Sequence, residues 1–235
     1  MNILAVDTAG KTAAVAVLRD DVLLYEAQCN NGLTHSETLL PMIDTALKAA
    51  GLTVDDLDVL GVTNGPGSFT GLRIGVATAK GLAWPEDKPC APCSTLESMA
   101  WPLAFFRDAV IVCAMDARRS QIYNALFEIR GGKPVRLCED RAISLAELGE
   151  ELGKMQKSAF LVGDGAQLCY NTCLDMGIPA VLAPGNLVSQ SAWGVAMAAF
   201  GQTPAPAEEL LPVYLRLSQA ERERQARLAA QAAQE

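Results

Sequence analysis

The segment 64-NGPGSFTGLRIGVATAKGLAWP-85 sets five glycines within residues 65–81, between a strand-like run, 57-LDVLGVT-63, and a helix-like run that ends near Trp84. Glycine-rich turns at the mouth of a helix often hold phosphate, because free backbone N–H groups and the helix dipole favour an anion there. Three such patterns fail on counting. A Walker loop needs Gly, four residues, then Gly-Lys-Ser/Thr, but the residues five after Gly65 and Gly67 are Thr70 and Leu72. In a G-x-G-x-x-G fingerprint the third glycine would come one residue before Gly71. A nucleophile elbow around Ser68 needs glycines where Pro66 and Thr70 stand.

Packing is the other use of such a stretch. Gly71, Gly75 and Ala79 recur every four residues and share one helix face. A face without side chains lets a neighbour come closer than the usual ~8–10 Å between helix axes. Leu72 and Val76 lie on the adjoining face, Arg73 and Lys80 elsewhere, and Ser68 suits the N-cap after the Gly65-Pro66-Gly67 turn. Spacing leaves two readings open: a buried helix pressed onto its own sheet, or a close-packed seam for a partner helix.

Working outward, residues 2–7, 12–18 and 22–28 read as three consecutive strands joined by short polar links. Residues 34–50 carry a helical pattern with Leu39, Leu40, Ile43 and Leu47 on one side, Pro41 denting the early turns and Gly51 closing it. Residues 89–93 form a short strand, and Ser94-Thr95-Leu96-Glu97 a capping box opening the next helix. The pattern then restarts, with strands at 109–115, 121–129 and 134–138, helices at 144–153, 164–176 and 188–200, and strands near 159–163 and 179–182. Three strands followed by alternating helices and strands, twice over, predicts two α/β lobes, residues 1–104 and 105–217. A polar tail, 218–235, reads as a solvated helix or disordered segment.

Of the 235 residues, 50% are hydrophobic, enough to bury a sizeable core. No apolar run nears the roughly 20 residues of a membrane span. The start, MNILAVDTAG, lacks the basic opening of a signal peptide, and seven scattered cysteines fit free thiols in a reducing cytoplasm. The net charge of −8 gives no electrostatic footprint for nucleic acid, so any work on one needs another source of grip.

The run NGPGSFTGLRIGVATAKGLA resembles the signature stretch of the bacterial TsaB (YeaZ) family. ILAVDTAGKTAAVAV, THSETLLPMIDTAL, MDARRSQIYNALF and PVYLR are similar to further segments of that family, so the likeness is scattered over residues 2–216. The resemblance implies an actin-like, two-lobed fold (ribonuclease H-like in each lobe). It implies a non-catalytic partner in forming threonylcarbamoyladenosine on tRNA, beside a metal-bearing TsaD-type sibling of the same fold and a TsaE-type ATPase. It places the seam with the sibling on the first two helices, here residues 34–50 and 69–83. The residues this selects are His35, Leu39, Leu40, Ile43, Leu47, Phe69, Gly71, Leu72, Arg73, Gly75, Val76 and Ala79. It also implies homodimers when alone, tRNA contact only through the complex, and ATP or ADP at the interface, with no cofactor expected in the isolated chain.

The sibling's metal needs two histidines four apart on the first helix, whereas this chain has one histidine, His35, with Leu39 at the matching position. A Ser-His protease would have to use that same histidine, with no elbow serine. Cys90/Cys93 and Cys169/Cys173 are too far apart in sequence for a zinc ribbon and read as core thiols. The competing reading is a small-molecule kinase or ATPase. In kinases of this fold an aspartate ending the first strand positions the nucleotide's metal, and Asp7, Thr8, Gly10 and Thr12 resemble that turn, with Gly163-Asp164-Gly165 as a candidate second loop. A carboxylate at a strand end is also a common turn-former.

Overall fold

The computed structural model describes residues 1–216 and Arg224. The expected tail, 218–235, lies outside the described residues except for Arg224. The chain opens with β1 (Asn2–Asp7), β2 (Ala13–Arg19), β3 (Val22–Cys29), α1 (His35–Ala50), β4 (Val59–Gly65), α2 (Phe69–Ala83) and β5 (Cys90–Ser94). These strands form one sheet in the order β3-β2-β1-β4-β5. The first three are antiparallel, while β1, β4 and β5 run parallel. The second set is α3 (Thr95–Ala100), β6 (Ala109–Asp116), β7 (Gln121–Arg130), β8 (Lys133–Arg136), β9 (Arg141–Ser144), α4 (Leu145–Met155), β10 (Ser158–Val162), α5 (Ala166–Asp175), β11 (Ala180–Leu182), α6 (Gly185–Val188) and α7 (Ala192–Ala199). Its sheet, read as β8-β7-β6-β10-β11, repeats the first order and the same mixture of directions. The duplicated order is the expected actin-like plan. Strand β9, paired with β7, was not anticipated.

Local signals explain the element ends. Helix α1 begins at Thr34, whose backbone N–H donates to Glu37 Oε2 at 3.1 Å, and ends at Gly51 in the left-handed region, φ 66°. Pro41 sits inside α1 without ending it. Ser68 caps α2 by accepting from the Gly71 amide at 3.3 Å. Ser94 caps α3, but Glu97 turns away to Arg136 at 3.3 Å instead of closing a capping box. Cys90 and Cys93 face opposite sides of the first sheet, one in the core under α1 and α2, the other in the core under α7.

The small face of α2 is taken by this chain's own first strand. A Cβ on Gly71 would lie 2.0 Å from the Thr8 carbonyl oxygen, and one on Gly75 would lie 2.4 Å from Thr8 Oγ1. The Thr8 hydroxyl donates to the Gly71 carbonyl at 2.7 Å, and Ala79 is buried in the core beneath. The expectation that Gly71, Gly75 and Ala79 themselves meet a partner is therefore corrected. They let α2 sit against the end of β1, which leaves their face no exposed surface.

The division at residues 104/105 also needs correction, because two helices trade lobes. Helix α3 packs Leu96, Met99 and Leu103 of its vicinity into the core with Ile111, Cys113 and Phe127 of the second sheet. Helix α7 returns to cover the first sheet, setting Ala192, Val195 and Ala199 against Ile3, Ala5, Ala14 and Ala16. The two helices meet where a Cβ on Gly194 would lie 2.1 Å from the Ser98 carbonyl oxygen.

Two glycines of α2 should respond oppositely to alanine. Gly71→Ala, forced against backbone, should cost about 3 kcal/mol in urea unfolding. Gly81→Ala, with nothing within 4 Å of the new methyl, should be neutral or stabilise by up to about 1 kcal/mol.

Candidate functional site

A cleft of about 780 Å³ lies between the lobes. One wall is the β1–β2 turn (Ala9, Gly10, Lys11) and the start of α2 (Gly67, Ser68, Phe69, Thr70). The other is the end of β6 and the turn to β7 (Met115, Asp116, Ala117, Arg118), with Tyr123, Asp164 and, from the C-terminal segment, Arg216. The first wall is held by the Ser68 amide, which donates to the Ala9 carbonyl at 2.8 Å, with Gly67 too close to Ala9 for any side chain. The second is held by the Asp116 amide, which donates to Asp164 Oδ1 at 3.0 Å. Gly163, φ +101°, and Gly165 bring that loop onto the end of β6, where side chains would strike Ala114 and Met115. Arg118, Arg119 and Ser120 all take left-handed backbone, φ 63°, 58° and 58°, an uncommon cost for three consecutive non-glycine residues.

Of the four residues expected to cradle a nucleotide, only Gly10 reaches the cleft. Asp7, Thr8 and Thr12 are buried. Asp7 Oδ1 accepts from the Ala9 amide at 2.7 Å, while Oδ2 has no hydrogen-bond partner of ordinary geometry among the described residues. Burial pushes the Asp7 carboxyl up to about 7, with the Ala9 amide and the Thr63 hydroxyl holding the rise down. Asp7 is thus a sealed turn-former and does not face the cleft where a nucleotide's metal would lie. The carboxylates that do face it are Asp116 and Asp164. Burial raises the Asp164 pKa, against the pull of the Asp116 amide and the Lys11 ammonium.

The residues expected at the seam divide by exposure. Leu39, Ile43, Leu47, Val76 and Ala79 are core, and Leu72 packs into the core between the lobes. Leu40 is turned outward, 54% exposed, so the expected side of α1 splits between neighbouring residues. His35 Nε2–H donates to the Gly10 carbonyl at 2.9 Å, tying α1 to the β1–β2 turn. Phe69 stacks on Tyr214 with ring centroids 4.4 Å apart, and Arg73 Nε donates to the Tyr214 hydroxyl at 2.9 Å. The outer surface of α1 and α2 therefore carries Leu40, Arg73, Ala77 and Gly81, and runs on to Trp84, 81% exposed. Among the described residues, no group of three or more His, Cys, Asp or Glu is placed to hold a metal ion, and no helix is long and apolar enough to cross a membrane. The buried thiols of Cys93 and Cys169 are each pushed up to about 12 by desolvation, far from the reactive range.

Motif counting missed Asp116, Arg118, Tyr123 and Arg216 as cleft residues. Their signal lay in MDARRSQIYNALF and PVYLR, noted for resemblance with no role attached.

Two mixed sheets of the same strand order, each flanked by helices and meeting at an interlobe cleft, define an actin-like protein. The model for the tRNA N6-adenosine threonylcarbamoyltransferase family, TsaD, matches residues 32–204. The tRNA threonylcarbamoyladenosine biosynthesis protein TsaB of Bacillus subtilis is 32% identical, covering 94% of this chain and 96% of its own. The TsaB protein of Escherichia coli is 31% identical, covering 92% and 95%. YeaZ from Pseudomonas aeruginosa superposes with a TM-score of 0.75 at 23% identity, covering 91% of this chain and 99% of its own. The chain belongs to the TsaB family of tRNA threonylcarbamoyladenosine biosynthesis proteins.

The sealed carboxyl predicts a pH signature. In the unfolded chain Asp7 ionises from its ordinary value of 3.8, but the fold keeps it neutral to about 7. The native state therefore loses stability as pH rises between those values. Asp7→Asn should remove the loss, gaining up to about 4 kcal/mol over wild type at pH 8 and nothing from this source near pH 3. Urea unfolding at the two pH values measures it, and equal effects at both would show that Asp7 does not titrate in the fold.

Proposed function

We propose that this chain is a non-catalytic subunit that supports threonylcarbamoyl transfer to the adenosine beside the anticodon of tRNA. It docks through the outer surface of α1 and α2 against a metal-bearing, TsaD-type transferase of the same fold, together with a TsaE-type ATPase. One observation carries the reading: the positions a catalytic sibling would use are structural here. His35 is spent on the Gly10 carbonyl, its i+4 position is the core residue Leu39, and Asp7 is closed off from the cleft. The burial of Asp7 also counts against the kinase or ATPase alternative.

Of the residues first selected for the seam, Leu40 and Arg73 supply surface, Phe69 supports Tyr214 from the cleft wall, and His35 sits at the edge. The buried ones position the two helices. The acidic chain, net charge −8, leaves tRNA to be gripped by the rest of the complex. ATP or ADP, where it binds, belongs at the interface, the isolated chain pairs with itself through the same surface, and the complex works in the cytoplasm.

Light scattering on a sizing column, for the chain alone and mixed with the transferase, tests the docking. Leu40→Arg and Ala77→Arg place a charge on exposed positions without touching the core. Each should weaken the heterodimer about tenfold or more with an unchanged thermal midpoint. Threonylcarbamoyl transfer should need the transferase, and turnover by this chain alone would overturn the proposal.

A further inference from the structure

The segment after α7 is pinned in both lobes. Ala205 exchanges two backbone hydrogen bonds with Cys90 at the edge of the first sheet, 2.8 and 2.9 Å. Leu210 is buried in the first-lobe core, and five residues later Leu215 packs into the core shared with the second sheet. Between them the strap is sewn to the first lobe. Asn64 Nδ2 donates to the Leu211 carbonyl at 3.1 Å, and the Val213 amide donates to the Asn64 carbonyl at 2.7 Å. Gly65, φ +148°, admits the strap here, since a Cβ would lie 2.3 Å from the Val213 carbonyl oxygen. Tyr214 then stacks on Phe69 and accepts from Arg73, both on the first turns of α2. Two residues on, Arg216 Nη1 donates to the Ala117 carbonyl in the β6–β7 turn of the other lobe.

Phe69, Ala117 and Arg216 all line the cleft, while Arg73 and Tyr214 face outward beside Leu211, 63% exposed, and Val213, 48% exposed. The same short segment thus meets solvent beside the outer surface of α2 and bridges the cleft. We infer that the strap Leu210–Arg216 is a mechanical linkage in which the seating of a protein partner on α2 and the strap fixes the opening of the interlobe cleft. The first half of the linkage, from Tyr214 through Arg216 to the β6–β7 turn, belongs to the isolated chain. The second half rests on the docking reading above. The partner surface it fits is apolar against Leu211, Val213 and Tyr214, with a carboxylate facing Arg73.

Hydrogen exchange of the Ala117 and Gln121 amides reports on the turn. The Ala117 amide donates to the Gln121 carbonyl at 3.0 Å, and the Gln121 amide to the Arg118 carbonyl at 3.3 Å. In the isolated chain, Arg216→Ala should speed exchange of both about tenfold. Tyr214→Ala, which does not touch the turn, should do the same, whereas Tyr214→Phe keeps the stack and should leave exchange near wild type. Unchanged exchange in both alanine variants would overturn the linkage. With transferase bound to wild type, as read by light scattering, exchange should slow about tenfold, and Arg216→Ala should bind yet lose that protection. A bound partner that leaves the turn's exchange unaltered would also overturn it. Failure of the transferase to bind counts against the docking reading, while the isolated-chain variants still decide the linkage.

Discussion

Thr8 pressed into the glycine face of α2 is the contact from which the rest of the molecule takes its geometry. A side chain at Gly71 would displace the helix from the end of β1, because the obstacle is a backbone carbonyl with no rotamer to change. The Thr8 hydroxyl adds a bond to the Gly71 carbonyl, and the Ser68 amide reaches the Ala9 carbonyl. Together these set the first turn of α2 as a wall of the cleft and turn its opposite side outward. Local strength here comes from close packing and satisfied polar groups in a dry place, where each is worth more than at the surface.

The same tightness accounts for what became of the strand-end carboxylate. With the helix drawn onto β1, Asp7 is enclosed, and desolvation outweighs the Ala9 amide and the Thr63 hydroxyl, so the neutral acid is favoured. A metal-binding carboxylate needs the opposite environment, open to the ligand and easily ionised. Charge in the cleft comes from Lys11, Asp116, Arg118, Asp164 and Arg216, drawn from four separated stretches of chain.

The lobes are held together by exchange. Helix α3 serves the second core, α7 serves the first, and the strap crosses again at the cleft. Relative movement of the lobes must therefore repack the Ser98–Gly194 crossing or shift the strap. That makes the cleft sensitive to residues at its rim, Tyr214 and Arg216 among them.

Much of the framework was legible in the residues alone. Apolar runs with short polar links marked β1, β2, β6 and β7, while Ser68, Ser94 and Gly51 marked helix ends, because caps and short apolar runs act over a few residues and need no distant partner. The repeated element order predicted the two lobes. Strand β9 and the exchange of α3 and α7 were not legible, since both depend on which surface remains uncovered once the sheets exist. The spacing of Gly71, Gly75 and Ala79 showed that something approaches closely, but smallness is symmetric with respect to what approaches, and only the tertiary structure named Thr8. The cleft is the limiting case. Lys11, Phe69, Arg118, Asp164 and Arg216 share no local pattern. What joins them is the placement of one sheet against another, and that is decided by burial and chain crossing across the whole molecule.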